Sequence, residues 1–431
     1  MKMHSAKTLR GRVDLPGDKS ISHRSVMLSA IASGNCSITN FATSVDCIST
    51  INCFRQLGVS IEQQGTSLNV VGRGKLGLRK ASGPLDCGNS GTTMRLISGI
   101  LAGQSFETTL IGDGSLSRRP MRRIIEPLTA MGAHIESSSG TAPLMITGGR
   151  LHPITYEMPV ASAQVKSSIL LAGLFADGRT TVVESSPTRD HTERMLQGFG
   201  INVRTESRTD GKTEISVAGN SELYATNIEV PGDISSAAFF IVAAACLPTS
   251  EIRLVNVGIN PSRSAILNAV REFGVSIELE KIREATGEPV ADLIVRGGIA
   301  QRLGPNVLCG GIIANLIDEI PILAVLGTQL KDGLEVRDAA ELRIKESDRI
   351  ASVVSNLRLF GADVEEFDDG FKVMRSDLKG ARVPSFRDHR IAMAFAVAGL
   401  IASGTTEIEN AECVEISFPG FFRTLAEVVE Q

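Results

Sequence analysis

Apolar positions along this chain fall into two alternating rhythms. Period-2 runs such as SLNVV (67–71), APLMI (142–146), EISVA (214–218) and DLIVR (292–296) predict strands with one buried face. Between them lie apolar stretches of helical length, SVMLSAIASG (25–34) and AILNAVREFG (265–274). Five times a helix end runs into glycine and then straight into a strand: QLGVSIE at Gly58, AMGAHIE at Gly132, GFGINVR at Gly200, EFGVSIE at Gly274 and LFGADVE at Gly361. Each glycine falls where the residue after a helix needs a positive φ.

The intervals between these glycines are 74, 68, 74 and 87 residues. A recurrence of that length means one supersecondary unit used several times. At about 72 residues per copy the 431 residues hold six, the sixth assembled from the two termini. A longer echo returns Pro16-Gly17-Asp18-Lys19-Ser20 as Pro231-Gly232-Asp233-Ile234-Ser235, 215 residues on. Two three-copy α/β domains follow: residues 1–17 with 231–431, and residues 18–230, the chain crossing near Gly17 and Pro231. The short N-terminal strand then belongs with the C-terminal half.

Composition narrows the function. Lys and Arg number 44 against 48 Asp and Glu, a net charge of −4, and aromatics are 4% with no Trp. Nucleic-acid binders carry a basic excess and stacking aromatics, so small metabolites are the better partners. The seven cysteines (36, 47, 53, 87, 246, 309, 413) form no CxxC pair and fit free thiols of a cytoplasmic protein. No export signal or membrane span is visible, because Asp318 and Glu319 interrupt the longest apolar stretch, Gly310 to Gly327.

Candidate chemistry clusters at predicted helix starts. LPGDKSISHR (15–24) brings Lys19, Ser20 and Arg24 to a glycine-rich turn, where free N–H groups and the helix dipole favour an anion. GNSGTTMR (88–95) repeats the pattern, with Gly91 where backbone approaches a ligand and Arg95 one turn on. In SRRPMRR (117–123) Arg119 precedes Pro120 at a helix entry, whereas its neighbours read as a solvated face. Ser162, Ala163 and Gln164 open an apolar helix with Lys166 and Ser167 one turn in, and SPTRDHTER carries Arg189 and the pair Asp190-His191. Asp318 and Glu319 sit in an apolar run, where burial and nearby cations together can tune a general base; the plainer reading makes Asp318 the cap of the helix that contains Pro321. RIKESDR (343–349) sets Lys345, Glu346 and Arg349 around one turn, and DHRIAM (388–393) begins a helix with His389 and Arg390. The cations together make a cleft for small, multiply charged anions, with Asp318, Glu346 and His389 as acid/base candidates. No Ser-His-Asp set, metal-ligand spacing or GxGxxG appears.

In this order and across almost the whole chain, LPGDKSISHR, GNSGTTMR, RRP, SAQVKSS, SPTRDHTER, LIDE, RIKESDR and DHRIAM resemble the family of 3-phosphoshikimate 1-carboxyvinyltransferases, the EPSP synthases. The resemblance implies the enolpyruvyl transferase fold, an inside-out α/β barrel: two similar domains, each of three βαβαββ units, joined by a double crossover hinge, with the active site in the cleft between them. It implies transfer of the enolpyruvyl group of phosphoenolpyruvate to the 5-hydroxyl of shikimate 3-phosphate, on the route to chorismate and aromatic amino acids. No metal or organic cofactor is implied, and a monomer in the cytoplasm is the default.

By match to the family motifs, Lys19, Ser20, Arg24, Ser162, Ala163, Gln164, Arg189, Asp318 and Lys345 should bind shikimate 3-phosphate. Lys19, Gly91, Arg119, Gln164, Arg349 and Arg390 should bind phosphoenolpyruvate. Asp318 matches the proton acceptor for the attacking hydroxyl, Glu346 a partner in proton transfer to the methylene carbon, and Lys19 completes the catalytic set. Ser162-Ala163-Gln164 and Leu96 resemble the subgroup called class II, while Glu341 replaces an Asn and Ile416 a Lys found in other members. The sister transferase acting on UDP-N-acetylglucosamine normally carries a Cys in the loop matching residues 112–120, and GDGSLSRRP has none. A non-catalytic binding homologue is the remaining alternative, opposed by the intact Lys19, Asp318, Glu346 and Arg349.

Overall fold

The computed structural model describes residues 1–300 and 304–430. The repeating unit is plainest in residues 85–147. Strand Leu85–Asp86 leads to helix Gly91–Ala102, strand Glu107–Ile111, helix Arg122–Ala130 and the hairpin His134–Ser138 with Thr141–Thr147. The first two strands pair in parallel, Leu85 opposite Leu110, and the hairpin adds antiparallel strands in the spatial order first, second, fourth, third. Ala142, Leu144 and Ile146 alternate inward along the last strand, as its period-2 pattern requires.

Residues 155–218 and 307–373 repeat this strand order. In two of the other copies the first strand comes from far along the chain, whereas in the last it is local, Arg382–Pro384 pairing in parallel with Thr405–Glu409. Ile228–Glu229 pairs in parallel with the strand Ser33–Thr39, and Thr8–Asp14 with Glu251–Gly258. Lys2–His4 lies antiparallel on Thr405–Glu409, so both N-terminal strands join sheets of the C-terminal half. The repeating glycines all hold positive φ, from 81° at Gly361 to 105° at Gly132. That region is cheap only for glycine, which is why the residue recurs at each helix-to-strand turn.

The chain divides into two compact units. One contains Met1–Pro16, Pro231–Arg283 and Pro289–Gln431, and the other Gly17–Val230 with Glu284–Glu288. Gly17 thus falls one residue beyond the boundary expected from sequence. The turn at 284–288 groups with the second unit, where Glu288 lies 2.8 Å from the buried Nδ1 of His191. No local composition signals that contact.

Each unit places helices inside and sheets outside. In the second unit, helices Lys19–Ile31, Gly91–Ala102 and Ala163–Gly173 pack on one another and are buried nearly all round. In the first unit, Ile234–Cys246, Ile320–Gly327 and His389–Ile401 do the same. Such helices expose almost no face to water: the apolar pattern of Ile234–Cys246 is nearly continuous, while Lys19–Ile31 buries Ser22, His23, Arg24, Ser25 and Ser29 as well. All seven cysteines are free thiols, five of them buried. No helix among the described residues is long and apolar enough to cross a membrane.

Gly99 shows how closely the inner helices approach. A Cβ there would stand 2.2 Å from the carbonyl oxygen of Ser168 on the neighbouring helix. Gly99→Ala should therefore destabilise the protein by about 1–3 kcal/mol, despite alanine's better helix propensity. Denaturant titration of the two proteins checks this; an unchanged midpoint would mean the helices can separate at no cost.

Candidate active site

The inner helices begin with their free N–H groups and their cations together. In the second unit, Asp18 caps helix 19–31 by accepting from the Ile21 N–H at 2.9 Å. Lys19 then points to Asp46, 3.0 Å away. Arg24, only 4% exposed, donates to the Ser20 carbonyl (2.9 Å), the Ser167 hydroxyl (2.8 Å) and the Thr192 hydroxyl (2.6 Å). All three partners are neutral. Burial draws its guanidinium down to about 10, against the pull of Glu193 and Asp18, and Arg189 adds to the depression. Arg24 is thus charged at neutral pH, and among the described residues no carboxylate touches it to compensate the charge, which suits an incoming anion.

The next helix start is tied to this one. Ser90 caps helix 91–102, and a buried chain of hydroxyls runs from Ser90 through Thr93 and Thr50 to Nδ1 of His23, with steps of 2.8, 2.7 and 2.7 Å. Burial, aided by the charges of Lys19 and Arg24, pushes His23 well below the ordinary histidine range, so the ring is neutral at pH 7. Arg95 donates to Gln164 (2.7 Å), whose amide donates to Thr92 (3.0 Å). Arg119 bonds Asn89 at 2.9 Å and Ser115 at 3.3 Å. It follows a 3-10 turn, Leu116–Arg118, and the helix begins only at Arg122, so Arg119-Pro120 lies ahead of the helix entry expected from sequence.

Ser162 caps helix 163–173. Ala163 lies one turn before Ser167 and Gln164 faces Arg95, so the expected residues of these three starts adjoin one another. Arg189, half-buried, precedes helix His191–Gly198 and acts electrostatically on Arg24. Lys166, by contrast, is buried between Glu193 (2.6 Å) and Glu184 (3.3 Å) and serves the interior. Asp190 and His191 are likewise engaged, with Arg194 and Glu288.

In the first unit the centre is Arg349, 1% exposed at the start of helix Arg349–Leu359. Its Nε meets Asp388 at 2.8 Å, and its two terminal nitrogens meet Glu346 at 2.5 Å and Asp318 at 3.5 Å. Burial lowers its affinity for the proton, but Asp388, Glu346 and Asp318 together raise it above the ordinary arginine value. Arg390 holds Asp318 from the other side, through Nε at 3.4 Å to the carboxylate and Nη1 at 3.1 Å to the carbonyl. Lys345 and Glu346 lie in the loop after the 3-10 turn Ala340–Ile344, not on one helical turn with Arg349. Burial lowers the Lys345 ammonium below the usual lysine range, although Asp318 and Glu341 oppose it. The cap of helix 320–327 is Glu319, not Asp318, which leaves the Asp318 carboxylate to the two arginines. His389 is buried in the first turn of its helix beside Asp388.

Several supporting residues escaped the sequence reading: Asp46 and Thr192 in one unit, and in the other Asp388 with Ser347, whose hydroxyl donates to it at 3.2 Å. Asp388 alone left a signal, as an Asp before a helix start. No group of three or more His, Cys, Asp or Glu among the described residues could hold a metal ion. Each arrangement can hold an anion, and that around Asp318 can also accept a proton between two fixed cations.

The model of the family described as EPSP synthase (3-phosphoshikimate 1-carboxyvinyltransferase) matches residues 3–425. A 3-phosphoshikimate 1-carboxyvinyltransferase of Brevibacillus brevis is 50% identical over 431 residues, covering 99% of each chain. One of Pelotomaculum thermopropionicum is 52% identical over 435 residues, covering 100% of this chain and 99% of the relative. A solved structure of EPSP synthase from Acinetobacter baumannii is 42% identical, with a TM-score of 0.88 over 100% of this chain and 99% of its own. The enolpyruvyl transferase NikO from Streptomyces tendae, at 17% identity and a TM-score of 0.80 over 100% of this chain and 97% of its own, bears on the fold alone.

Two tests follow from the geometry. A Cβ on Gly91 would stand 2.9 Å from Nη1 of Arg95 and 3.4 Å from Nη1 of Arg119, both ends of flexible side chains. Gly91→Ala should leave the denaturation midpoint unchanged yet displace these two guanidinium ends and weaken binding of a small anion, probed with inorganic phosphate, by roughly tenfold, equivalent to about 1.4 kcal/mol, measured by titration calorimetry. For Asp388, burial raises the carboxyl, but the charges of Arg349 and His389 outweigh it and the folded value is lowered. Its stabilisation is therefore complete above the unfolded value of about 3.9 and lost as pH falls through the folded one. Asp388→Asn should cost about 3 kcal/mol at pH 7, and the gap to the parent should begin to narrow as pH falls below about 4. Denaturation curves at pH 7 and pH 3 read both effects.

Proposed function

The chain belongs to the EPSP synthase family, with the two-domain enolpyruvyl transferase fold, and from that premise we propose which of its residues do the chemistry. The reaction transfers the enolpyruvyl group of phosphoenolpyruvate to the 5-hydroxyl of shikimate 3-phosphate and releases phosphate, in the pathway to chorismate and aromatic amino acids. Its two substrates carry roughly six negative charges, which repel strongly unless fixed cations lie between and around them.

Lys19, Ser20, Arg24, Ser162, Ala163, Gln164 and Arg189 hold shikimate 3-phosphate from the second unit, and Lys345 and Asp318 from the first. Gly91, Arg119, Arg349 and Arg390 hold phosphoenolpyruvate, with Lys19 and Gln164 touching both ligands. Arg24, buried and bonded only to neutral oxygens, supports the phosphate role.

In the addition step the methylene carbon takes a proton and the middle carbon becomes electrophilic. The 5-hydroxyl oxygen then bonds to that carbon while its proton passes to Asp318. Glu346 and Lys19 serve the proton transfer at the methylene carbon. In the elimination step the new methyl group gives its proton back, the carbon–carbon double bond reforms, and phosphate leaves with the electrons of the broken C–O bond. Arg349 and Arg390 stabilise the leaving charge. Every step is acid–base or electrostatic, and none calls for a metal or organic cofactor. We also propose that each unit supplies one part of this residue set, and that the enzyme acts as a cytoplasmic monomer without nucleic acid or membrane partners. The acidic net charge and the free thiols support that setting.

The observation that carries the reading is the Asp318 carboxylate, 3.5 Å from Arg349 and 3.4 Å from Arg390. Asp318→Asn should lower kcat by about 10²–10⁴ while shikimate 3-phosphate still binds. Steady-state assay beside titration calorimetry tests this, and normal turnover of the variant would remove Asp318 as the base.

A further inference from the structure

The echo Pro231-Gly232-Asp233-Ile234-Ser235 has no part in the reaction just described. It opens an inner helix as its counterpart does, with Asp233 accepting from the Ser235 N–H at 2.8 Å. Ile234 stands where the counterpart has Lys19. The helix start is filled instead by the protein's own groups. The Ser235 hydroxyl donates to Oε1 of Glu319, Arg263 Nη1 donates to the same oxygen at 2.9 Å, and Arg263 Nη2 donates to the Ser235 hydroxyl. Asp233 lies 3.8 Å from Arg263 Nη2. Glu319 is fully buried and Arg263 only 4% exposed.

Glu319 is the next residue after Asp318, and the two carboxylates diverge. One is drawn into the interior by Arg263 and Ser235, while the other meets Arg349 and Arg390. The backbone between them is pinned as well: the Glu319 N–H donates to Leu316 at 2.8 Å, and the Glu319 carbonyl accepts from Ile322 and Leu323. Arg263 is held in turn by its N–H to Asn260 at 2.8 Å. Turning Glu319 outward would take from the buried Arg263 guanidinium its carboxylate partner at 2.9 Å and leave the more distant Asp233 at 3.8 Å, which favours one setting of the turn at 318–319. Apolar residues would pack this interior at least as well, so a buried ion pair here fits a geometric duty better than a stabilising one.

We propose that Arg263, Glu319 and Ser235 form a clamp that positions Asp318 for proton acceptance. The inference rests on the base role proposed for Asp318. Glu319 and Arg263 touch no substrate in this account and act only through the turn they fix.

The test uses the full chain carrying Glu319→Gln, the neutral pair Arg263→Gln with Glu319→Gln, and each again in an Asp318→Asn background. A misplacement of the base should lower kcat about 10- to 100-fold, with both KM values within about threefold and the folded fraction unchanged by circular dichroism. If Glu319→Gln alone fails to fold once Arg263 has lost that carboxylate, the neutral pair carries the test, and its kcat should be equally depressed. In the Asp318→Asn background, where there is no base left to position, the residual rate should change less than twofold. The clamp is overturned if the folded variants keep kcat within twofold. It is also overturned if they lower the Asp318→Asn residual rate by the same factor as the parent's. Normal turnover of Asp318→Asn alone would remove the base reading and the clamp together, whereas collapse of Asp318→Asn with normal Glu319 variants would remove only the clamp.

Discussion

A buried guanidinium that cannot lose its proton must be surrounded by acceptors, and Arg349 imposes that requirement on much of its unit. Three carboxylates answer it from three separate places: the cap of helix 389–401, the loop before Arg349's own helix, and the turn before helix 320–327. Moving any one of these elements would leave the cation short of a partner. The constraint thereby fixes the position of Asp318 and Glu346, both partly exposed, from a residue that is itself inaccessible. Arg24 answers the same requirement differently. Its neutral partners satisfy hydrogen bonding but not charge, so the missing counter-charge is left to a ligand.

The inside-out arrangement makes such sites possible. Helices buried on all sides can end only where their free N–H groups find caps or ligands. Asp18, Ser90, Ser162, Asp233, Asp348 and Asp388 supply the caps. With the caps in place, the remaining donors and helix dipoles point the same way as the lysines and arginines placed there. The sheets lie outside and carry ordinary alternating patterns, so the repeat can be copied six times without disturbing these ends.

How far this was legible in the sequence depends on range. The glycines at 58, 132, 200, 274 and 361 announce the repeat because a positive φ after a helix is a local demand. The closure of the incomplete copies by the distant strands 2–4, 8–14 and 228–229 follows from counting copies, not from any local pattern. The plainer of the two readings of Asp318, a cap before Pro321, does not hold, because the structure puts Glu319 at that position; adjacent carboxylates cannot be told apart until their partners are known. The partners are remote: Thr192 lies 168 positions from Arg24, Asp46 is 27 from Lys19, and Arg263 is 56 from Glu319. Charge runs gave the cations away, but only the fold shows which hydroxyls and carboxylates hold them.

The roles proposed for Arg24, Asp318 and Arg349 all require transfer to shikimate 3-phosphate. The most direct measurement incubates the purified protein with phosphoenolpyruvate and either shikimate 3-phosphate or UDP-N-acetylglucosamine, and follows phosphate. Release that requires shikimate 3-phosphate, matched one for one by its enolpyruvyl ether, is the predicted result. Release driven by the sugar nucleotide, or none with either acceptor, would contradict it.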